Sequence, residues 1–95
     1  MKRLTRRGFR AWLAAKKPRA RVGQADSVCN CPLARYISRL SGKTAGVSVG
    51  CYRPDETADL LLCLPDWADA FVAEIDKRPG PVTARRALEI LDGKP

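Results

Sequence analysis

"AGVSVGCYRPDETADLLLCL", residues 45–64, decides the fold, because it is the stretch in which two β-strands can be placed. Val47, Val49 and Cys51 alternate with Ser48, Gly50 and Tyr52, the period-two pattern of a half-buried strand. Arg53 to Thr57, "RPDET", is turn chemistry. The run Leu60-Leu61-Leu62-Cys63-Leu64 is ambiguous between strand and helix by periodicity. We read it as a strand, since Leu60, Leu62 and Leu64 set opposite Cys51, Val49 and Val47 give one continuous apolar face. The expectation is a two-stranded antiparallel hairpin in which Cys63 points away from Cys51.

Helical signals lie on both sides of it. Upstream, Phe9, Trp12, Leu13 and Lys16 recur at i, i+3, i+4 and i+7, with Thr5 as N-cap, Leu4 as a hydrophobic staple and Pro18 as the stop. Arg6, Arg7 and Arg10 fall off this stripe and face water. Residues 18–30 read as a connector turning at Val22-Gly23. A second helix starts at Pro32, buries Leu33, Tyr36, Ile37 and Leu40, and stops at Gly42. Downstream, Pro65-Asp66 opens a third helix with Trp67, Phe71, Val72 and Ile75 inward. "RPGP" (78–81) breaks it, and Thr83 caps a fourth that holds Ala87, Leu88 and Leu91 and ends at Gly93. The fold expected is one α+β domain over residues 1–95, in the order α-α-β-β-α-α, with helices packed on the hairpin.

The net charge of +8 is unevenly spread. Residues 1–25 carry Lys2, Arg3, Arg6, Arg7, Arg10, Lys16, Lys17, Arg19 and Arg21 and no acid. The remaining 70 residues hold nine basic groups against ten acids, so a basic leader adjoins a near-neutral body. Within the body, Asp55, Glu56, Asp59, Asp66, Asp69, Glu74 and Asp76 concentrate acid into one stretch. Such a chain can attract a polyanion at one end and a basic surface at the other. No apolar run approaches the roughly 18 residues of a membrane span.

Thr5-Arg6-Arg7-Gly8-Phe9 resembles the [S/T]-R-R-x-F opening of a twin-arginine export signal. A signal needs about 7 to 15 consecutive apolar residues next, followed by a small-residue cleavage site. Here Arg10 interrupts at once, Lys16-Lys17 end the apolar segment after five residues, and no A-x-A site follows. The stretch is read as a packed cationic helix, and the protein as cytoplasmic.

Catalytic groups are scarce. With no histidine, no Cys–His or Ser–His pair can form. Cys29, Cys31, Cys51 and Cys63 lack the C-x₂₋₄-C spacing of zinc knuckles, so neither a metal nor a cofactor is expected. Ser41-Gly42-Lys43-Thr44 ends like a phosphate loop, but Ile37 stands where the first glycine belongs and a helix precedes it. Residues 71–91 sound like a helix-turn-helix with Arg85 and Arg86 as base readers. Lys77 to Val82 is too long and proline-rich for its turn, and the acids of the preceding helix would repel phosphates.

Phe9, Trp12-Leu13, Lys16, Pro18 and Val22-Gly23 followed by "CPLA" (31–34) and Tyr36-Ile37, then Leu64-Pro65, Trp67-Ala68, Phe71-Val72 and Ile75-Asp76, then "VTA" (82–84), Ala87-Leu88 and Ile90-Leu91, resemble the pattern of a group of small uncharacterised proteins of bacteria and their phages. The resemblance spans most of the chain and implies a shared fold and a mobile-element setting. It brings no activity and no catalytic residues.

The functional expectation is a non-enzymatic protein that contacts nucleic-acid backbone with low sequence specificity. Its candidate contacts are Arg3, Arg6, Arg7, Arg10, Lys16, Lys17, Arg19 and Arg21. Phe9 and Trp12 lie on the packing stripe and are expected in the core rather than stacked on bases. The alternative is an inhibitor or adaptor that docks on a partner protein, such as a nucleic-acid-processing complex, with Asp55, Glu56, Asp59, Asp69, Arg85 and Arg86 as interface candidates. No membrane partner is expected.

Overall fold

Thr5 accepts the Gly8 N–H at 3.0 Å and so starts α1 (Arg6–Ala14), the first of four helices in a computed structural model that describes residues 3–93. Lys2, part of the basic leader, lies outside the described residues. The chain then runs β1 (Arg21–Ala25), α2 (Pro32–Ser41), β2 (Gly46–Ser48), β3 (Cys51–Arg53), β4 (Leu62–Cys63), α3 (Asp66–Ile75), β5 (Gly80–Thr83) and α4 (Ala84–Leu91). The strands make two antiparallel sheets, β1–β5 and β2–β3–β4. The domain is therefore small and α+β, as read from the sequence, but the α-α-β-β-α-α order is incomplete.

The helices follow their local signals. Cys31 caps α2, Pro32 opens it, and Gly42 closes it in the left-handed region. Thr83 accepts the Arg86 N–H at 3.2 Å at the start of α4. The inward faces meet around Phe9, which is fully buried. Its ring lies 5.0 Å from Phe71 edge-on, 5.4 Å from Tyr36, 5.9 Å from Trp67 and 6.1 Å from Trp12. Phe9 is thus a core residue, as expected, whereas Trp12 is only partly buried and packs against the edge of the core.

Three strand expectations are corrected. The supposed connector at residues 18–30 contains β1, which pairs Arg21 with Thr83, Gly23 with Val82, Gln24 with Pro81 and Ala25 with Gly80, with a bulge between Arg21 and Gly23. Gly23 is not a turn residue. A Cβ there would lie 2.5 Å from the Pro32 nitrogen and 2.6 Å from the Asn30 carbonyl oxygen, so its lack of a side chain lets the start of α2 cross β1. "RPGP" does break α3, but Gly80-Pro81 lie inside β5. The strand between α3 and α4 removes the helix-turn-helix reading on geometry.

The third correction concerns the hairpin. "AGVSVGCYR" is two strands, not one: Ser48 pairs with Cys51 across a Val49-Gly50 turn. Gly50 takes φ +76°, a conformation that L side chains rarely adopt, and Val49 is 89% exposed instead of buried. The strand after the turn also reverses the faces, so Tyr52 points inward beside Val47 while Cys51 turns outward. β4 pairs Cys63 with Cys51 and Leu62 with Tyr52, so Cys63 stands opposite Cys51 instead of pointing away from it. The hydrophobic pattern repeats every two residues on either side of the turn, which is why one strand could be read through it.

Candidate nucleic-acid interface

α1 presents its cations in two groups with different surroundings. Arg10 makes a two-pronged contact with Asp92, Nε to Oδ1 and Nη2 to Oδ2, both at 3.0 Å. Arg6 donates to Asp92 Oδ1 at 3.3 Å and to the Leu91 carbonyl oxygen at 2.9 Å. Asp92 is the C-cap of α4, where the helix dipole is negative and an acid is unfavourable. The first turn of α1 holds arginines at the positive end of its own dipole, equally misplaced. Bringing the two ends together offsets both, and Arg6 also supplies a donor to an α4 carbonyl left without an intrahelical partner. The Asp92 hydrogen bond, and secondarily its charge, push the Arg10 guanidinium pKa upward. Arg6 and Arg10 thus fasten α1 to α4.

The second group follows α1. Lys16 Nζ rests over the Trp12 ring, 5.0 Å from its centre. Lys17, Arg19 and Arg21 are exposed and have no acidic partner among the described residues, and the same holds for Arg3 and Arg7. The connection that carries Lys17 and Arg19 is fixed by backbone bonds. Ala84 N–H donates to the Ala20 carbonyl at 2.9 Å and Arg85 N–H to the Pro18 carbonyl at 3.0 Å. These carbonyls satisfy the first amides of α4, so its N-terminus is not an open anion site. They also bring Arg85 beside the connection, where its Nε reaches Glu89 at 3.2 Å. Between the two elements runs an open groove with apolar Ala14, Pro18, Ala84 and Leu88, rimmed by the cations Lys16 and Arg85 and the acids Glu89 and Asp92.

The acidic stretch and the other interface candidates are dispersed and partly engaged. Asp55 accepts from the Thr57 hydroxyl at 2.7 Å and the Thr57 N–H at 2.9 Å, and these bonds hold its carboxyl below the usual range. Asp69 accepts the Gly50 N–H at 3.2 Å, tying α3 to the hairpin turn. Asp76 accepts the Asp26 N–H at 2.9 Å, in the turn where Asp26 takes φ +58°. Glu56 and Asp59 are exposed in the β3–β4 connection, and Arg86 is half-buried in the first turn of α4. Asp55, Glu56 and Asp59 share that connection, but Asp69, Arg85 and Arg86 belong to other elements.

Among the described residues no group of three Cys, Asp or Glu side chains is arranged to hold a metal ion. Cys31 is buried, and burial raises its thiol pKa, away from the reactive thiolate. No helix among the described residues is long and apolar enough to cross a membrane. The residue that sequence reasoning missed is Asp92. Its signal was available, since an acid immediately after the last turn of a helix is disfavoured unless a cation meets it. Compared with known proteins, the chain matches no family model, no curated protein and no solved structure.

Proposed function

We propose that the chain is a non-enzymatic protein that binds nucleic-acid backbone with little sequence preference, using the connection after α1 and not the face of α1 itself. Lys17, Arg19 and Arg21 are the principal contacts, with Lys16 and Arg85 near them and exposed Arg3 and Arg7, at the other end of α1, as secondary ones. The observation that carries this reading is the exposure of Lys17, Arg19 and Arg21 without acidic partners among the described residues, on a segment anchored to α4 by two backbone hydrogen bonds. An anchored cation loses less freedom on meeting a phosphate than one on a loose arm. Since Phe9 is fully buried and Trp12 lies beneath Lys16, neither offers a platform for bases. Recognition is therefore assigned to phosphates, which position without reading sequence.

Fluorescence anisotropy with labelled double- and single-stranded DNA and RNA tests it. A Lys17→Glu/Arg19→Glu/Arg21→Glu variant is compared with a charge-matched Arg35→Glu/Arg39→Glu/Arg78→Glu control, whose changes are all at exposed positions. The expected result is a loss of at least tenfold in affinity in the first and a much smaller loss in the second. Equal losses would reduce the effect to net charge, and absence of binding at low salt would remove the reading.

A second reading, docking on a partner protein in a phage or mobile-element setting, is favoured by a different observation. Val28 and Val49 are 51% and 89% exposed and line one cleft beside the hairpin, and Leu60 and Leu61 are 51% and 56% exposed ahead of β4. A complex formed there would have an apolar centre and would weaken little with salt.

A further inference from the structure

We propose that Cys51 and Cys63 form a redox-active dithiol that closes to a disulfide across β3 and β4, with glutathione disulfide or another small disulfide as the oxidant. The register places the two residues directly opposite each other. Leu64 N–H donates to the Gly50 carbonyl at 3.0 Å, so the flanking Gly50/Leu64 pair is a hydrogen-bonded position of the antiparallel ladder. Positions alternate in such a ladder, which makes Cys51/Cys63 a non-hydrogen-bonded pair. In such pairs the Cα atoms lie about 4.5 Å apart and the side chains approach most closely. That spacing falls at the short end of the range of about 4.4–6.8 Å spanned by disulfides.

Both side chains lie on the outer face of the sheet, since Val47, Tyr52 and Leu64 take the inner one. Both thiols are free, Cys63 is exposed and Cys51 half-buried, so Cys63 is the first to meet an oxidant. The Cys63 thiolate attacks one sulfur of glutathione disulfide and expels one glutathione thiolate. The Cys51 thiolate then attacks the Cys63 sulfur of the mixed disulfide and expels the second. Each cysteine gives up its proton, one glutathione thiolate leaves in each step, and the two electrons lost by the cysteine pair end on the two glutathione thiols, which take up the two protons. A bond at the short end of the spacing range and open to solvent is a reversible one.

The other cysteine pair is unsuited to this chemistry. Cys29 and Cys31 are separated by one residue, and the buried Cys31 sulfur is turned to the start of α2, accepting the Ala34 N–H at 3.4 Å. Closure at Cys51/Cys63 has a mechanical consequence. β4 has only two residues, and the bond would tie it to β3 and close the connection carrying exposed Leu60 and Leu61 into a covalent loop.

The test equilibrates the full chain in mixtures of reduced and oxidised glutathione, blocks remaining thiols with an alkylating agent, and maps peptides without reduction. The expected result is loss of two alkylatable thiols, a Cys51–Cys63 linked peptide, free Cys29 and Cys31, and a rise in Tm of roughly 5–15 °C that dithiothreitol reverses. In Cys51→Ser, and separately in Cys63→Ser, the rise is lost. A stable glutathione adduct on Cys63 in the native chain, a link through Cys29, or four thiols unchanged under oxidation would each overturn the proposal.

Discussion

Arg6 and Arg10 are phosphate-seeking residues by charge and fasteners by position. Asp92 is only 20% exposed at its side chain and receives both. Asp92→Asn should therefore act in two directions. Stability falls, seen as a lower urea midpoint, because α1 loses its ionic tie to the end of α4. Nucleic-acid affinity at low salt holds or rises, because two arginines are released. A fall in affinity together with an unchanged midpoint would mean that Asp92 has no such role. Asp55 gives a pH signature. Its folded pKa is depressed by the Thr57 hydrogen bonds, so its contribution to stability is present above the unfolded carboxylate pKa and is lost as pH falls through the folded value. The acid limb of the stability curve should shrink in Thr57→Val. Carboxyl chemical-shift titration should show the Asp55 pKa returning upward, whereas an unmoved value would contradict the assignment.

Helices were legible in the sequence because their causes are local. Thr5, Pro32, Gly42 and Thr83 lie at the ends of α1, α2 and α4, and the apolar spacing between caps names the buried face. β1 and β5 were not legible, because each exists only through the other. Arg21 and Thr83 are 62 positions apart, and the strands contain Gly23 and Pro81, residues that usually mark turns. Proline is tolerated in β5 because it belongs to a two-stranded sheet with an unpaired edge. The hairpin register was misread for a related reason, since only the left-handed φ of Gly50 separates β2 from β3. In the candidate site, the exposed cations could be found by counting charge. The pairing of Arg10 with Asp92 could not, as it joins residues 82 apart. Gly23→Ala tests the crossing of β1 by the start of α2. It should cost about 1–3 kcal/mol in urea titration, because Cβ meets backbone and not a movable side chain. An unchanged midpoint would mean that the crossing is looser than described.

The packing ties the basic region to the same core as the other elements. Phe9 sits among four other rings, and Phe9→Ala should cost about 3–5 kcal/mol and loosen every helix, not α1 alone. Circular dichroism during urea unfolding should show one transition at a lower midpoint. A selective loss of α1 would contradict a shared core. That core fixes one end of α1, and α4 fixes the connection that follows it, so the cations at 17, 19 and 21 are held on a folded surface. α4 is eight residues, about 12 Å long, which separates the Asp92 clasp at one end from the Arg85 side at the other. The direct measurement is the dependence of nucleic-acid affinity on salt for the native chain with duplex DNA. Four or five neutralised phosphates predict a slope of log K against log salt of about −3.5 to −4.5, with a duplex of different sequence giving the same slope and affinity. A slope near zero, or binding confined to one sequence, would contradict backbone recognition by this connection.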